Sequence, residues 1–447
     1  MRSSSLYLFA LVSAMVVGML SCETTEVVDN STFGLIQSRI LTPTCAIPSC
    51  HASGKDATFM QHQLILSKGK SYDQLVNAGS FNAAAKADGL MRVKPGDADN
   101  SLLVHKLHRN AGHHGGDYGN PMPLGLDKLT LGQLEFIEEW IKAGAPRTGE
   151  VADPKLLDDK TPQPDYFEPL AMPAAGYQMT IGPFSVAPNF EREFFTYRPL
   201  GNQEQVYINR FEFKMRDNSH HLIIYDFKSN TPVNAMPKDD SYRDIRNQDG
   251  TLNFQNLGAL AYHVFVSGSQ VPYFDYRFPE GVAWPVPANM KFDINSHYVN
   301  KGSEPFAGEI MINIHTVPAA QVVKVAKALN LGNQSISLPP NQRTTLSKTF
   351  NTDKTIKVFS LTSHTHKLGE TFLIKISGGS RDGEIVYQND DWHHPVIQAY
   401  DPPITLSPGE GLTSVITYNN TTTRTVTFGL TSEDEMGIIF GYYYQQP

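Results

Sequence analysis

The chain has 447 residues, with 37 Lys+Arg against 45 Asp+Glu and a formal net charge of −8. That length exceeds one ordinary domain and suits about three, and a composition 40% hydrophobic and 18% charged can bury a core in each. An acidic balance without a basic run argues against a nucleic-acid partner, and three cysteines, Cys22, Cys45 and Cys50, exclude a disulfide-dense secreted scaffold.

Arg2 precedes an apolar run of 15 residues, 6–20, which fits the core of an export signal and is short for a membrane span. The run ends in Met19-Leu20-Ser21-Cys22, which resembles a bacterial lipobox, with Met19 where Leu is usual. The resemblance implies removal of a signal peptide over 1–22 and a lipid anchor on Cys22. The protein would then sit in the bacterial cell envelope, facing the periplasm or the cell surface. An ordinary signal cleaved nearby, with Cys22 incidental, is the other reading. No other stretch approaches 18 apolar residues, so no spanning segment is expected in the mature chain.

Residues 30–147 read as helical. Phe33, Ile36 and Ile40 fall at helical spacing. Thr130-Leu131-Gly132-Gln133 resembles a capping box. It opens a helix with Leu131, Leu134, Ile137 and Ile141 on one stripe and Trp140 beside it, stopped by Gly144 and Pro146. Residues 148–175 are rich in proline and charge and read as a linker. Short β-branched and aromatic runs follow at 205–213, 221–227, 259–266, 291–298, 308–317, 357–361, 371–376, 413–418, 425–430 and 437–444. Such a succession indicates β-sandwiches. Two in tandem, 176–325 and 326–447, fit the length, with a join near 321–340.

Cys45-Ala46-Ile47-Pro48-Ser49-Cys50-His51 brings two thiols and an imidazole together. A c-type haem is held by two thioether bonds with the adjacent His on iron, usually with two residues between the cysteines; here there are four. A Cys45–Cys50 disulfide with His51 on the surface is the competing reading. The surroundings resemble the cytochrome c domains of bacterial envelope proteins: Val93-Lys94-Pro95-Gly96, Ser101-Leu102-Leu103, Asn120-Pro121-Met122-Pro123 and Trp140-Ile141-Lys142-Ala143-Gly144-Ala145. That resemblance spans 30–147. It implies a covalently bound haem c with His51 proximal and Met122 distal, a pairing that suits electron transfer. Met122 as a core methionine, or His105, His108, His113 or His114 as distal ligand, are the alternatives.

Three further groups of histidines lie in the β region. His220 and His221 start a strand, where neighbouring side chains face opposite ways and can meet one ion only at a bulge or strand end. His297 follows in Asn295-Ser296-His297-Tyr298. His364-Thr365-His366 places two imidazoles at i, i+2, one face of a strand. Met436 precedes the last apolar run. Imidazoles suit copper, zinc or iron, and a thioether added to two imidazoles favours copper. Asp390-Asp391-Trp392-His393-His394-Pro395 is either a polar loop or a lining of the same region. His263 and His315, in apolar runs, read as satisfied core histidines.

Residues 180–447 resemble the copper type II, ascorbate-dependent monooxygenases, the family of the peptidylglycine α-hydroxylating and dopamine β-monooxygenases. The matching segments are Ser219-His220-His221-Leu222, Phe278-Pro279-Glu280-Gly281-Val282, Asn295-Ser296-His297-Tyr298, His364-Thr365-His366-Lys367-Leu368-Gly369 and Thr431-Ser432-Glu433-Asp434-Glu435-Met436 with Tyr442-Tyr443, in the family's order. The resemblance implies two jelly-roll sandwiches and two copper ions. One copper would lie on His220, His221 and His297 for electron transfer, the other on His364, His366 and Met436, where O2 is the co-substrate.

The fold class expected is therefore an all-α cytochrome c-like domain followed by two all-β jelly-roll sandwiches. The function expected is hydroxylation of a C–H bond in a small or peptide-like substrate. Electrons would come from an envelope donor, ascorbate or a redox protein, through the haem. Peptide-amidating members carry Arg where this chain has Thr362, and polar residues where it has Ile438 and Phe440. A substrate carboxylate would lack its clamp, which argues for a more apolar substrate. A non-catalytic redox or copper-binding envelope lipoprotein is the alternative function, and a binding sandwich with incidental histidines a third.

Overall fold

The computed structural model describes residues 29–446 except 49, 57–58, 109–117, 165–166, 391, 393–394 and 430–433. The signal segment, Cys22, His113, His114, Asp391, His393, His394 and the 431–433 part of the Met436 motif lie outside the described residues. Among the described residues no helix is long and apolar enough to cross a membrane.

Residues 30–147 carry helices and, among the described residues, no strand longer than an isolated bridge. Most of the helices are short. Thr32–Ile36 is capped by the Ser31 side chain, which accepts from Gly34, and runs on into the π-helical stretch Gln37–Cys45. Among the described residues the longest helix, Leu131–Lys142, opens with the expected capping box on Thr130 and Gln133. Its buried face is Leu134, Phe136, Ile137, Trp140 and Ile141, which pack with Phe33, Ile36 and Ile40. Leu131 departs from the expected stripe and is 40% exposed. It is the first residue of the helix, ahead of the first turn that meets the core. The proline-rich stretch after this unit is partly packed on it. Leu157 is buried in the same core, and the Gln163 amide donates to the Leu107 and Leu129 carbonyls at 3.2 and 2.9 Å.

From Gly176 onward the chain is mostly β-sheet. A five-stranded sheet has the order Tyr242–Asp244, Phe190–Pro199, Lys291–Asn300, Ser219–Phe227, His263–Ser269. It faces the first part of a nine-stranded sheet across a core that includes Phe194, Phe292 and Ile294 on one side and Ile208, Phe211 and Ile312 on the other. A four-stranded sheet, Gln342–Asn351, Gly411–Asn420, Gly369–Ser377, Ile385–Asn389, faces the second part across Ile374, Ile416, Val358 and Ile439. Each unit is thus two β layers around one apolar core.

The two units share the nine-stranded sheet. The region expected as the join holds the strand Lys324–Gly332, which pairs in parallel with Val282–Val286 on one side and antiparallel with Ile438–Gln445 on the other. Ala326 and Leu329, three residues apart, lie on opposite faces of this strand, the first buried in the core of the first unit and the second in the core of the second. Two expected strands are shorter than read. The run 259–266 begins as the 3-10 turn Gly258–Tyr262, and strand starts at His263. Among the described residues of 425–430, Val426–Thr427 forms a strand with Ser337–Leu338, and Phe428 makes an isolated bridge to Glu435.

Candidate metal centres

His220 and His221 open the strand Ser219–Phe227, and His297 lies on the neighbouring strand Lys291–Asn300. Register shifts between Ser219 and His221, and His221 sits opposite His297. The irregularity turns His220 toward its neighbours instead of to the far face. The Nδ1 atoms of His220 and His221 are 3.1 Å apart. Each of the three histidines offers a nitrogen within 4.8 Å of the other two.

Polar neighbours orient these rings. His221 Nε2 donates to Asn295 Oδ1 at 2.6 Å, so its Nδ1 keeps a lone pair. The Asn295 amide is fixed in turn, donating to Glu193 Oε1 at 3.2 Å and to the Phe194 carbonyl at 3.3 Å. His297 Nε2 lies 2.7 Å from Glu191 Oε1, and both of its ring nitrogens are buried outside hydrogen-bond geometry. A buried unmatched nitrogen costs about 1–3 kcal/mol, and a cation among the three rings would match it. The surroundings favour such a charge. Against its own burial, Glu193 is held at about 2 by His297 and His221. Against the burial of the His297 ring, Glu193 and Glu191 raise its affinity for a proton.

His364 and His366 do not share a strand face. The strand Ile356–His364 ends at the first, and the second lies in the following turn. That turn closes through Gly369 N–H donating to the His366 carbonyl at 3.1 Å. A Cβ at Gly369 would meet Thr365 Oγ1 at 2.3 Å, so the turn needs glycine there. The two rings still meet, 5.2 Å apart and nearly perpendicular. His366 Nδ1 donates to the Asp434 carbonyl at 2.9 Å, so Nε2 carries the lone pair. Burial pushes His364 down to about 3, with His366 and His221 adding to the shift. Burial also lowers His366. Both imidazoles are therefore neutral lone-pair donors at neutral pH.

Glu435 joins this turn to the methionine. Its buried carboxylate accepts from the backbone N–H groups of His366, Leu368 and Met436 at 2.9, 2.7 and 3.2 Å. Tyr418 donates to the Met436 carbonyl at 2.8 Å. Met436 itself is half-buried. The two clusters are close enough that a charge on His221 acts on both His364 and His366. Trp392, from the second unit, lies 6.5 Å from His220.

Beside His364 the wall is apolar. His364 pairs with Ile438 and Thr362 with Phe440 across the sheet, so all four side chains share one face. The Phe440 ring stacks on Phe265 at 4.1 Å, and the Thr362 hydroxyl is buried without a hydrogen-bond partner.

In the N-terminal unit Cys45 is buried, Cys50 is half-buried, and no disulfide joins them. His51 Nδ1 faces the Leu64 carbonyl at 3.3 Å, leaving Nε2 as the available nitrogen. Two thiols beside an imidazole fixed in this tautomer fit a covalently held haem. Met122 is half-buried against the helical core. The ring nearest His51 among the described residues is His62, 4.1 Å away, and its Nδ1 accepts from Leu64 N–H at 3.1 Å. Two of the alternative distal ligands are engaged elsewhere: His105 Nε2 with the Asp99 carbonyl at 2.8 Å, and His108 Nε2 with Glu138 at 2.9 Å. His263 and His315 are satisfied by Asp293 at 2.8 Å and Glu212 at 3.2 Å.

Sequence reasoning missed Glu191, Glu193 and Glu435 as orienting residues. The first two stand at i, i+2 and so share a strand face, but only the register of Phe190–Pro199 on Lys291–Asn300 reveals that His297 lies opposite Glu193.

Residues 324–447 match the family described as copper type II ascorbate-dependent monooxygenase, C-terminal domain. This part of the chain is that of a copper-dependent monooxygenase, an oxidoreductase. The match contains His364, His366 and Met436 and does not extend over 30–147. No curated protein matches the chain. Among solved structures, the major capsid protein P2 from bacteriophage PM2 is 10% identical, with 60% of this chain and 98% of that one covered and a TM-score of 0.26. The glycosylasparaginase PNGase F from Flavobacterium meningosepticum is 7% identical, with 60% and 96% covered and a TM-score of 0.21. Neither likeness bears on fold or activity at these scores.

Proposed function

We propose that this copper monooxygenase hydroxylates a C–H bond of a small, largely apolar substrate with O2, using copper on His220, His221 and His297 and a second copper on His364, His366 and Met436. The observation that carries the reading is the meeting of three imidazoles, one with an unmatched buried nitrogen, close to a second imidazole pair inside the matched domain. Copper at the two centres would supply two single-electron equivalents and the activation of O2.

The chain's own residues set the conditions. Asn295, itself held by Glu193, orients His221 so that Nδ1 presents the lone pair, and Glu191 lies against His297 Nε2. Glu435 fixes the Met436 segment against the His366 turn. Ile438 and Phe440 line the wall where peptide-amidating relatives place polar groups, and an apolar substrate would be positioned there by exclusion of water. The jelly-roll connectivity of the two β units belongs to the same reading.

The N-terminal unit is read as a haem c domain, with Cys45 and Cys50 as attachment points, His51 proximal and Met122 distal. It would take electrons from an envelope donor, ascorbate or a redox protein, and pass them toward the three-histidine centre. The lipobox-like Cys22 supports a lipid-anchored location in the envelope.

The test is oxygen consumption by the copper-loaded chain with ascorbate and a panel of apolar substrates, with isotopic oxygen traced from O2 into the product. Incorporation of one oxygen atom, abolished by Met436→Ala, supports the reading. Copper binding without incorporation would favour a non-catalytic redox or copper-binding role.

A further inference from the structure

The three-histidine centre is not built by the β region alone. Two residues before His220 stands Asn218, buried, with a φ of 66°. This left-handed backbone is uncommon for a residue other than glycine, although asparagine tolerates it better than most. It sets the turn from which the irregular start of Ser219–Phe227 departs. The Asn218 carbonyl accepts from Val299 N–H at 3.1 Å, two residues after His297.

The Asn218 side chain turns to the N-terminal unit. Its Oδ1 accepts from Gly125 N–H at 3.1 Å in a buried contact. The Gly125 carbonyl accepts from Lys301 N–H. Gly125 has a φ of 71°, and a Cβ there would lie 3.1 Å from the Val299 carbonyl oxygen, so glycine permits the approach. Further out, Asp127 accepts from Ser303 N–H at 3.2 Å and from its hydroxyl at 3.1 Å. One short segment thus touches the chain on both sides of the centre, at Asn218 ahead of His220 and His221 and at 299–303 after His297. The same segment follows Met122, and Lys301 is near enough to Cys50 to act on its thiol.

We infer that residues 123–127 of the N-terminal unit form a latch that positions the three-histidine centre, with Asn218 as the positioning residue through which it acts. The inference rests on the reading that these histidines hold copper, and it is independent of whether haem is bound. The latch makes the N-terminal unit part of the copper centre's scaffold, on the side where the cysteine motif lies.

The test uses the full chain with two substitutions at one position. Asn218→Gly keeps the left-handed turn and loses the acceptor, whereas Asn218→Asp keeps both. Cu(I) affinity is measured by competition with a chelator, and the Cu(II) centre by its electron paramagnetic resonance hyperfine pattern. Asn218→Gly is expected to weaken the three-histidine site about tenfold and alter its hyperfine pattern, leaving the His364 site unchanged, while Asn218→Asp stays close to wild type. Asp127→Ala, at the exposed end of the latch, shifts the same readouts in the same direction by a smaller factor and covers the case in which Asn218→Gly does not fold. Two coppers in the wild type with unchanged affinity and spectrum in Asn218→Gly, or in Asp127→Ala should Asn218→Gly not fold, would overturn the latch alone. A wild-type chain without copper at the three histidines would overturn the copper reading and the latch with it.

Discussion

Asn295 accepts a hydrogen bond from His221 Nε2 at 2.6 Å, and this contact decides which nitrogen of His221 is left for a metal. The amide cannot turn round without losing its own bonds to Glu193 and the Phe194 carbonyl. Replacing Asn295 with Ala should therefore free the ring to change tautomer. Copper affinity at the three-histidine site should fall about 10–100-fold, measured by chelator competition, with the His364 site unaffected.

Glu435 presents two oxygens to three backbone N–H donors. A glutamine in its place has one acceptor oxygen and turns an NH2 group toward those donors. Glu435→Gln should destabilise the chain by about 2–3 kcal/mol, read from denaturant unfolding. It should also lower copper content at the His364 site and oxygen turnover together, because the same carboxylate oxygen holds the His366 and Met436 backbone N–H groups.

Ile438 sits across the sheet from His364 and tests the apolar wall. Ile438→Asn should raise KM for an apolar substrate about tenfold or more with a smaller change in kcat, since lost apolar contact of this size is worth about 1–3 kcal/mol. Steady-state kinetics on one substrate decides the matter. A larger fall in kcat than rise in KM would place Ile438 outside the substrate's path.

Acid should loosen the N-terminal unit in part through Glu138. Hydrogen bonds from His108, with Lys142, hold its carboxyl at about 2, below the ordinary value of 4.5. The folded form therefore binds this proton less readily than the unfolded form. The contribution is complete above about pH 4.5 and is lost as pH falls toward 2, at most about 3 kcal/mol. In Glu138→Gln, thermal melts should lose this part of their pH dependence.

Much of the β region was legible because strand patterning is local. The runs around 206–215, 291–300 and 438–445 read correctly from alternation and β-branched residues. The strand Lys324–Gly332 was missed because lysine and alanine dilute its pattern, and its role in joining the two units is a long-range fact. The need for a bulge at His220 and His221 followed from strand geometry alone, and the register shift is there. The orienting carboxylates were not legible, because Glu191 and Glu193 meet His297 and His221 only through cross-strand pairing. The His364–His366 pair was expected on a strand face, and the turn at Gly369 replaces that face.

The most direct measurement of the central claim is copper content of the purified chain and two variants by elemental analysis. Two coppers per chain in the wild type, falling to one in His221→Ala and to one in His364→Ala, is the predicted result. Copper absent from the wild type, or content unchanged in both variants, would contradict it.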